Sequence, residues 1–572
     1  MTGIFVAKVR QSSAIHKAIF LQIGHPIDST RALVYDTDMT QPLPQAFSHT
    51  NTHSDAERIR VLHAQIGDAM YDRDASPQVH YTASAWVLNT DMTRVLLAYH
   101  RVFDSYGWLG GHADGETDLT KVSLREATEE SGLVPTLLSS QPVAIRLLNV
   151  PAHDKNGKHI AAHQHGDYAY AWIADDRKPI RLSEREHKDL RWVDLSEMDE
   201  LVKEKHMLPL YHAMTQKCLE IRAQQQQAIS EIVKRLPQWY RSGHRDLPWR
   251  NTRDPYRIWV SEILLQQTRV QAVIPAYQRF VQELPDVAAL AACDTDKLMK
   301  LWEGMGYYRR AANLQRAAQT IMVQYDGIFP DTYDAIASLS GIGSYTAGAI
   351  ASIAYGLPTP AVDGNVIRVF ARVCERYDEA DKPAFRKEIE QELARRYPQG
   401  ETAGELTQSL MELGATVCLP SGEPQCACCP LQDICMARCN GVQRTLPVRV
   451  QTKVRPVTAM TVVVMRRADG RIALRRRPAS GLLAGQWELP HYEGHLDEQE
   501  LAERLTQDGV QAYALQLRKS YEHIFTHREW QMLCYILAGE QLPQGCEWHD
   551  PNVVALPTAF RKCLSEVESC AD

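Results

Sequence analysis

Four sets of side chains in this sequence have the types and spacing to do chemistry. Glu262 stands in Asp254-Pro-Tyr-Arg-Ile-Trp-Val-Ser-Glu-Ile-Leu-Leu-Gln-Gln-Thr268, an apolar helical stretch, one turn before Gln266. Against Trp259, Ile263 and Leu264 a carboxyl is partly desolvated, which favours the protonated form that a general acid needs. Asp363, in Pro360-Ala-Val-Asp-Gly-Asn365, falls at a loop-to-helix boundary, where an acid caps the helix or performs chemistry. Glu126, Glu129 and Glu130 recur at i, i+3 and i+4, so three carboxylates share one helix face. A cation among them relieves their repulsion, and oxygen-only ligands suit Mg²⁺ or Mn²⁺, which bridge to phosphate. Cys418, Cys426, Cys429 and Cys435, separated by seven, two and five residues, offer four thiolates in one compact loop. Such a set suits a [4Fe-4S] cluster or Zn²⁺, and the cluster is the favoured reading.

The elements that must position these groups are legible too. Leu339-Ser-Gly-Ile-Gly-Ser-Tyr-Thr-Ala-Gly-Ala349 predicts a tight hairpin at Gly341 and Gly343, because glycine tolerates positive φ, followed by a helix over 344–355. N–H groups exposed at that helix start suit a phosphate oxygen, a contact that positions a duplex without reading its bases. Residues 81–88 and 94–99 read as strands around an Asn-Thr-Asp turn, ahead of Gly107-Trp-Leu-Gly-Gly-His112 and the acidic helix. Residues 460–465 and 471–474 repeat that opening, and Gln486-Trp-Glu-Leu-Pro490 stands where the Gly-Gly segment stood. This second copy lacks the three-glutamate face, since 498–507 carries no such arrangement.

At 572 residues the chain is long enough for about three or four domains. A net charge of -7 removes any bulk basic signature, so a nucleic-acid surface must be local. There is no apolar run long enough to span a bilayer and no signal-peptide pattern, so no membrane partner is expected. Of the 13 cysteines, six crowd between Cys418 and Cys439, which favours metal binding in a reducing compartment, by default the cytoplasm.

Residues 1–78 form an extension of unknown role, with strand candidates at 15–23 and 32–35 and an amphipathic helix over 55–70. Residues 79–222 form a first α/β domain, and 228–440 a helical region with the cysteine loop. A basic linker (441–457) leads to a second α/β domain (458–572), and helix 201–230 ends in a polar connector, Gln224 to Gln227. The fold class is therefore multidomain α+β: an α/β sandwich, an all-α region, and a second α/β unit.

The hairpin and the following aspartate resemble the helix-hairpin-helix DNA glycosylases of the endonuclease III superfamily. Ser261-Glu-Ile-Leu-Leu-Gln-Gln-Thr268, Gly304-Met-Gly-Tyr-Tyr308 and Gly343-Ser-Tyr-Thr-Ala-Gly348 narrow the likeness to its adenine-specific branch. Gly107 to Leu133 resembles the Nudix box of diphosphate hydrolases, although Glu116 to Arg125 is one residue longer than that pattern.

The first resemblance implies excision of adenine from double-stranded DNA carrying A:8-oxoguanine or A:G mispairs. Glu262 would be the acid, Asp363 the stabiliser of an oxocarbenium-like sugar, and Asn365 would help hold the site. Gln266 and Gln267 would contact the extruded base and its partner, while Met305 and Tyr307 would wedge into the stack. Gly341 and Gly343 would meet phosphate, and Phe525-Thr526-His527 would recognise 8-oxoguanine. Tyr345 stands where bifunctional relatives carry lysine; a phenol forms no Schiff base, so the glycosylase should be monofunctional. The Nudix resemblance implies Mg²⁺ (or Mn²⁺) on Glu126, Glu129 and Glu130 and a small nucleoside diphosphate-type substrate, with 8-oxo-dGTP suggested by the fusion. Two alternative functions compete with these. An endonuclease III-like pyrimidine-damage glycosylase/lyase conflicts with Tyr345 and the C-terminal domain; a noncatalytic lesion sensor conflicts with the presence of both Glu262 and Asp363.

Overall fold

The computed structural model describes residues 54–568 except 102, 156–157, 184–186, 450–453, 512–514 and 526. The strand candidates at 15–23 and 32–35 and the side chain of Thr526 lie outside the described residues.

An eight-stranded sheet is built around Val79–Asn89, whose alternate residues are apolar and buried on one face by Tyr81, Ala83 and Ala85. This strand runs antiparallel to Arg94–His100 and Leu109–His112, and parallel to His163–Ala174 from Val79↔Gln164 to Asn89↔Ala174. The acidic helix Leu119–Ser131 lies against the first face through Val122 and Ala127; Asp118 caps it and left-handed Gly132 ends it. The helix Asp55–Ile66 and the 3₁₀ turn Gly67–Tyr71 complete the same core with Ile59 and Met70, both fully buried. Each contributes roughly 1.5–3 kcal/mol of apolar burial. The amphipathic reading of 55–70 is thus a helix plus a 3₁₀ turn that belongs to this sheet.

The polar connector is not a break. One helix, Leu208–Ser242, runs through the four glutamines and past the expected end at residue 230, with Pro237 inside it. Its first half buries Tyr211, Met214 and Cys218 against the first sheet, and its second half buries Ile229, Ile232 and Leu236 in the helical region. Gln225 is itself buried and donates to the Cys374 carbonyl at 3.0 Å. Glutamine is a good helix former, so apolar contacts on either side carry the helix across.

The helical region has two cores. One centres on Trp259, Trp302 and Ile350; the other on Phe370, Leu406 and Leu410. A seven-stranded sheet follows, in which Val457–Arg466 runs parallel to Glu529–Ala538 and antiparallel to Ile472–Arg476 and His491–Glu493. It repeats the arrangement of the first sheet. The helix Glu498–Gln507 buries Leu501 and Leu505, and Glu500 serves a capping box with Asp497.

Candidate active site

Asp254 caps the helix Pro255–Leu265, accepting from the Tyr256 N–H at 2.9 Å, and Pro255 sets the first turn. Ile258, Trp259, Val260, Ile263 and Leu264 hold the helix in the core, and Glu262 is carried under with them, 5% exposed. Tyr345, from the helix Ser344–Tyr355, donates its phenolic hydrogen to Glu262 Oε2 at 2.6 Å. Burial dominates the Glu262 carboxyl. The Asp363 charge adds to it, the Tyr345 bond and Arg250 oppose it, and the pKa stands at about 7. Burial and the two carboxylates push the Tyr345 phenol well above its ordinary value, so it remains a donor.

Asp363 is the N-cap of the helix Gly364–Val373. Its Oδ1 accepts from the Asn365 and Val366 N–H groups, both at 2.9 Å, and its Oδ2 accepts from Asn365 Nδ2 at 2.6 Å. Burial raises its pKa, while these donors and Arg368 act to hold the charged form. Asn365 Oδ1 accepts from Arg368 at 2.8 Å, and the same guanidinium donates to the carbonyls of Gly414 and Cys418, each at 2.7 Å. The 360–363 segment reaches Tyr345's helix because residue 348 is glycine: a Cβ there would stand 2.2 Å from the Pro360 carbonyl oxygen.

The hairpin glycines differ. Gly341 has φ 79°, and a Cβ would meet Asn313 at 2.6 Å; Gly343 is extended at φ −95° with open space around it. Positive φ is therefore needed at Gly341 alone. Gly343 instead leaves the helix start without a side-chain cap, which keeps its N–H groups uncovered.

Gln266 ends the Glu262 helix and lies 3.5 Å from Thr346 Oγ1; Gln267 follows at φ 56° and Tyr307 stands at φ 47°, half exposed. Met305 is partly buried against the first helical core. Arg310, which the sequence reading passed over, joins the two loops. It donates to the carbonyls of Ile263, Gln266 (2.8 Å) and Met305 (2.8 Å), and its guanidinium lies over the Trp302 and Tyr307 rings. Burial lowers its pKa to about 10, still charged at neutral pH.

Cys418, Cys426, Cys429 and Cys435 line one cavity with Arg372 and Arg438. Cys428 is exposed, turned to the Gln425 carbonyl at 3.3 Å, and does not line it. Among the described residues no three of these sulfurs lie within 4.8 Å of one another. Burial pushes Cys429 to about 11 and Cys435 to about 12, and a cationic centre is what ionises thiols so placed.

On the acidic helix, Glu129 is exposed, Glu126 half-buried and Glu130 buried. Burial leads in raising the Glu126 pKa, the Arg125 guanidinium at 2.8 Å opposes it, and the charges of Glu130 and Glu129 add to it, a repulsion that a further cation would relieve. Glu130 also lies 3.3 Å from the Gly110 N–H and 3.0 Å from His187 Nε2, a second residue that spacing did not reveal.

Residues 260–399 match the HhH-GPD superfamily of base excision DNA repair proteins, and residues 79–214 and 461–566 each match the NUDIX domain. The adenine DNA glycosylase of Arabidopsis thaliana is 34% identical over 347 residues, 54% of this chain and 53% of that protein. That of Mus musculus is 32% identical over 406 residues, 59% of this chain and 78% of that protein. The chain belongs to the adenine DNA glycosylase family. It spans about half the length of the plant relative and over three quarters of the mouse one. A solved thermostable thymine-DNA glycosylase is 27% identical, covering 37% of this chain and 98% of its own, with a TM-score of 0.34. This adenine DNA glycosylase family member is a base-excision repair glycosylase fused to a Nudix domain, and its multidomain α+β fold is as expected. Its families generally hold a [4Fe-4S] cluster and a divalent metal, and the donor sets above fit both. No helix of the described residues is long and apolar enough to cross a membrane.

The C-terminal sheet presents Phe525 and His527 on the hairpin between Gln516–Ile524 and Glu529–Ala538. Phe525 packs edge-on against Trp530 and His523, at centroid separations of 4.8 and 4.6 Å, while His527 is exposed at the tip. Where the first sheet domain has its Gly-Gly segment, this one buries Glu488 between Arg475 and Arg477.

Proposed function

We propose that the helical site hydrolyses the N-glycosidic bond of adenine paired with 8-oxoguanine or guanine in duplex DNA. The observation that carries this is a buried Glu262, with its pKa near 7, held at 2.6 Å by Tyr345 and close enough to Asp363 to feel its charge. Glu262 gives its proton to the departing adenine as the bond to the sugar breaks and the bonding electrons leave with the base. The Asp363 carboxylate stabilises the oxocarbenium-like sugar, and water completes the hydrolysis. Asn365 fixes Asp363. Gln266 and Gln267 contact the extruded base and its partner, Met305 and Tyr307 fill the stack, and the N–H groups after Gly341-Ile-Gly343 take a phosphate. With a phenol at Tyr345 no Schiff base forms, so the strand is left uncut.

Phe525, Thr526 and His527 read the 8-oxoguanine. Cys418, Cys426, Cys429 and Cys435 would hold the [4Fe-4S] cluster, which when bound supplies a rigid anchor for the loop that Arg368 grips. Glu126, Glu129 and Glu130 would hold Mg²⁺ or Mn²⁺, which when bound polarises a diphosphate. The N-terminal substrate is 8-oxo-dGTP, supported by the fusion of a Nudix domain to this glycosylase. The setting is cytoplasmic, supported by the crowding of six cysteines between Cys418 and Cys439 in a metal-binding loop.

The test is single-turnover excision from duplexes with adenine opposite 8-oxoguanine, guanine or thymine, beside hydrolysis of 8-oxo-dGTP and dGTP. Excision of adenine opposite 8-oxoguanine without strand cleavage is expected. Release of damaged pyrimidines instead would overturn the first reading; equal turnover of the two nucleotides would overturn the second.

A further inference from the structure

A group of histidines lies at the start of the central strands of the first sheet, beside His112, whose carbonyl accepts from Arg125 of the acidic helix at 2.7 Å. His80 pairs with His165 across the parallel ladder, and His163 precedes His165 by two residues on the same face. One ring nitrogen from each of His80, His163 and His165 lies within 4.8 Å of the other two. His163 Nε2 and His165 Nε2 are 3.0 Å apart. His80 and His163 are buried, 4% and 6% exposed. Tyr81, Ala83 and Ala85, which pack with Val122 and Ala127 of the acidic helix, alternate with His80 and so face the other way.

Two of the rings are oriented from behind. His80 Nδ1 is 3.1 Å from the Ser76 carbonyl, and His163 Nδ1 is 2.9 Å from that of Ala161. A carbonyl only accepts, so each Nδ1 carries the hydrogen and each Nε2 a lone pair. Imidazoles that ligate metals are fixed in this way. A hydrogen bond from His165 to His163 accounts for that pair, yet it leaves His80 Nε2, which is buried and without a hydrogen-bond partner among the described residues. A single cation uses all three lone pairs. Asp167 is next on this face. Its Oδ1 accepts from Thr82 at 2.7 Å and Ser84 at 2.8 Å, while its Oδ2 is buried without a partner among the described residues.

We propose that His80, His163 and His165 form a site for a divalent transition cation of the zinc class. Three imidazoles suit such an ion, whereas Mg²⁺ prefers the oxygen ligands of the acidic helix.

The full-length protein, its cysteine loop loaded with iron and sulfide, is washed with chelator and titrated with Co²⁺. One equivalent should bind with visible d–d bands and no thiolate charge-transfer band, and saturating Mg²⁺ should leave it in place. X-ray absorption at the cobalt edge of the parent protein should show imidazole nitrogen in the first shell, a reading that needs no variant. His163→Gln with His165→Gln should lose the equivalent while keeping the parent's circular dichroism. A sulfur shell, displacement by Mg²⁺, absence of a stoichiometric band from the parent, or an undiminished band in the folded variant would each overturn the assignment.

Discussion

Glu262 keeps a large protonated fraction near neutral pH because the apolar helix around it withholds the water that would stabilise its charge, and Tyr345 only partly compensates. Excision should therefore decline as pH rises through about 7. Tyr345→Phe removes a bond that lowers this pKa, so the falling limb should move to higher pH; single-turnover rates across pH check it, and a limb displaced downward would contradict it. Glu262→Gln keeps the shape but has no proton to give, so excision should drop about 10²–10⁴-fold with duplex binding retained. The same residue carries a stability signature. Its folded pKa is raised, so its favourable contribution is complete below the unfolded value near 4.5 and lost as pH rises through about 7. Relative to its position at pH 4, Glu262→Gln should thus gain about 2–3 kcal/mol on the parent by pH 8, measured by denaturant unfolding at both pH values.

At the scale of elements, the site depends on a non-helical segment lying close against a helix. Gly348 lets the 360–363 segment lie on the helix Ser344–Tyr355, and Asp363 then caps the next helix. Gly348→Ala forces the Pro360 carbonyl away, because its Cβ meets backbone rather than a yielding side chain. We expect a loss of about 1–3 kcal/mol and a fall in excision larger than the loss of folded protein explains. Normal single-turnover rates in this variant would detach the glycine from the site. The acidic helix offers a cleaner contrast. Glu129 is exposed, whereas Glu130 is buried against Gly110 and His187. Glu129→Gln should lower Mg²⁺-dependent diphosphate cleavage without moving the melting temperature; Glu130→Gln should lower both.

Over the whole molecule, charged side chains join what the apolar cores leave separate. Glu412, on the helix Glu401–Thr416 of the second helical core, is buried and takes hydrogen bonds from Arg245 and Arg250 beside the first. Burial works to raise its pKa, but the two guanidinium groups hold it at about 2. A depressed pKa contributes stability that is present above the unfolded value near 4.5 and lost as pH falls toward 2. Glu412→Ala strands a buried guanidinium and should cost about 3–5 kcal/mol at pH 7, with a smaller difference from the parent at pH 3. Glu303 plays a similar part toward the C-terminal domain. It pairs with Arg561 and accepts from the Leu556 N–H at 3.2 Å, which fixes that domain beside the Gly304–Tyr308 loop. The first sheet is held by Glu375, which accepts from the N–H (2.8 Å) and hydroxyl (2.6 Å) of Ser140 and from Asn440 (2.6 Å).

Local pattern by itself determined the helix that carries Glu262, the helix over 344–355, the cap at Asp363, and the repeated strand openings of the two sheets. Each follows from short-range rules of apolar period, capping and turn chemistry. It also identified which cysteines to group, because their spacing is short. It misjudged the glutamine run, since composition marks a polar stretch but not whether a helix passes through it. Gly343 resembles a second turn glycine in sequence for the same reason: residue type permits positive φ without requiring it. Only the tertiary structure joined Tyr345 to Glu262, 83 positions apart, and so placed a phenol on a carboxyl whose burial raises its pKa to about 7. Only it found Arg310 binding two loops, or brought His80 beside His163 and His165. Those contacts depend on packing between elements distant in sequence, where no local propensity carries information and burial decides which polar groups must meet.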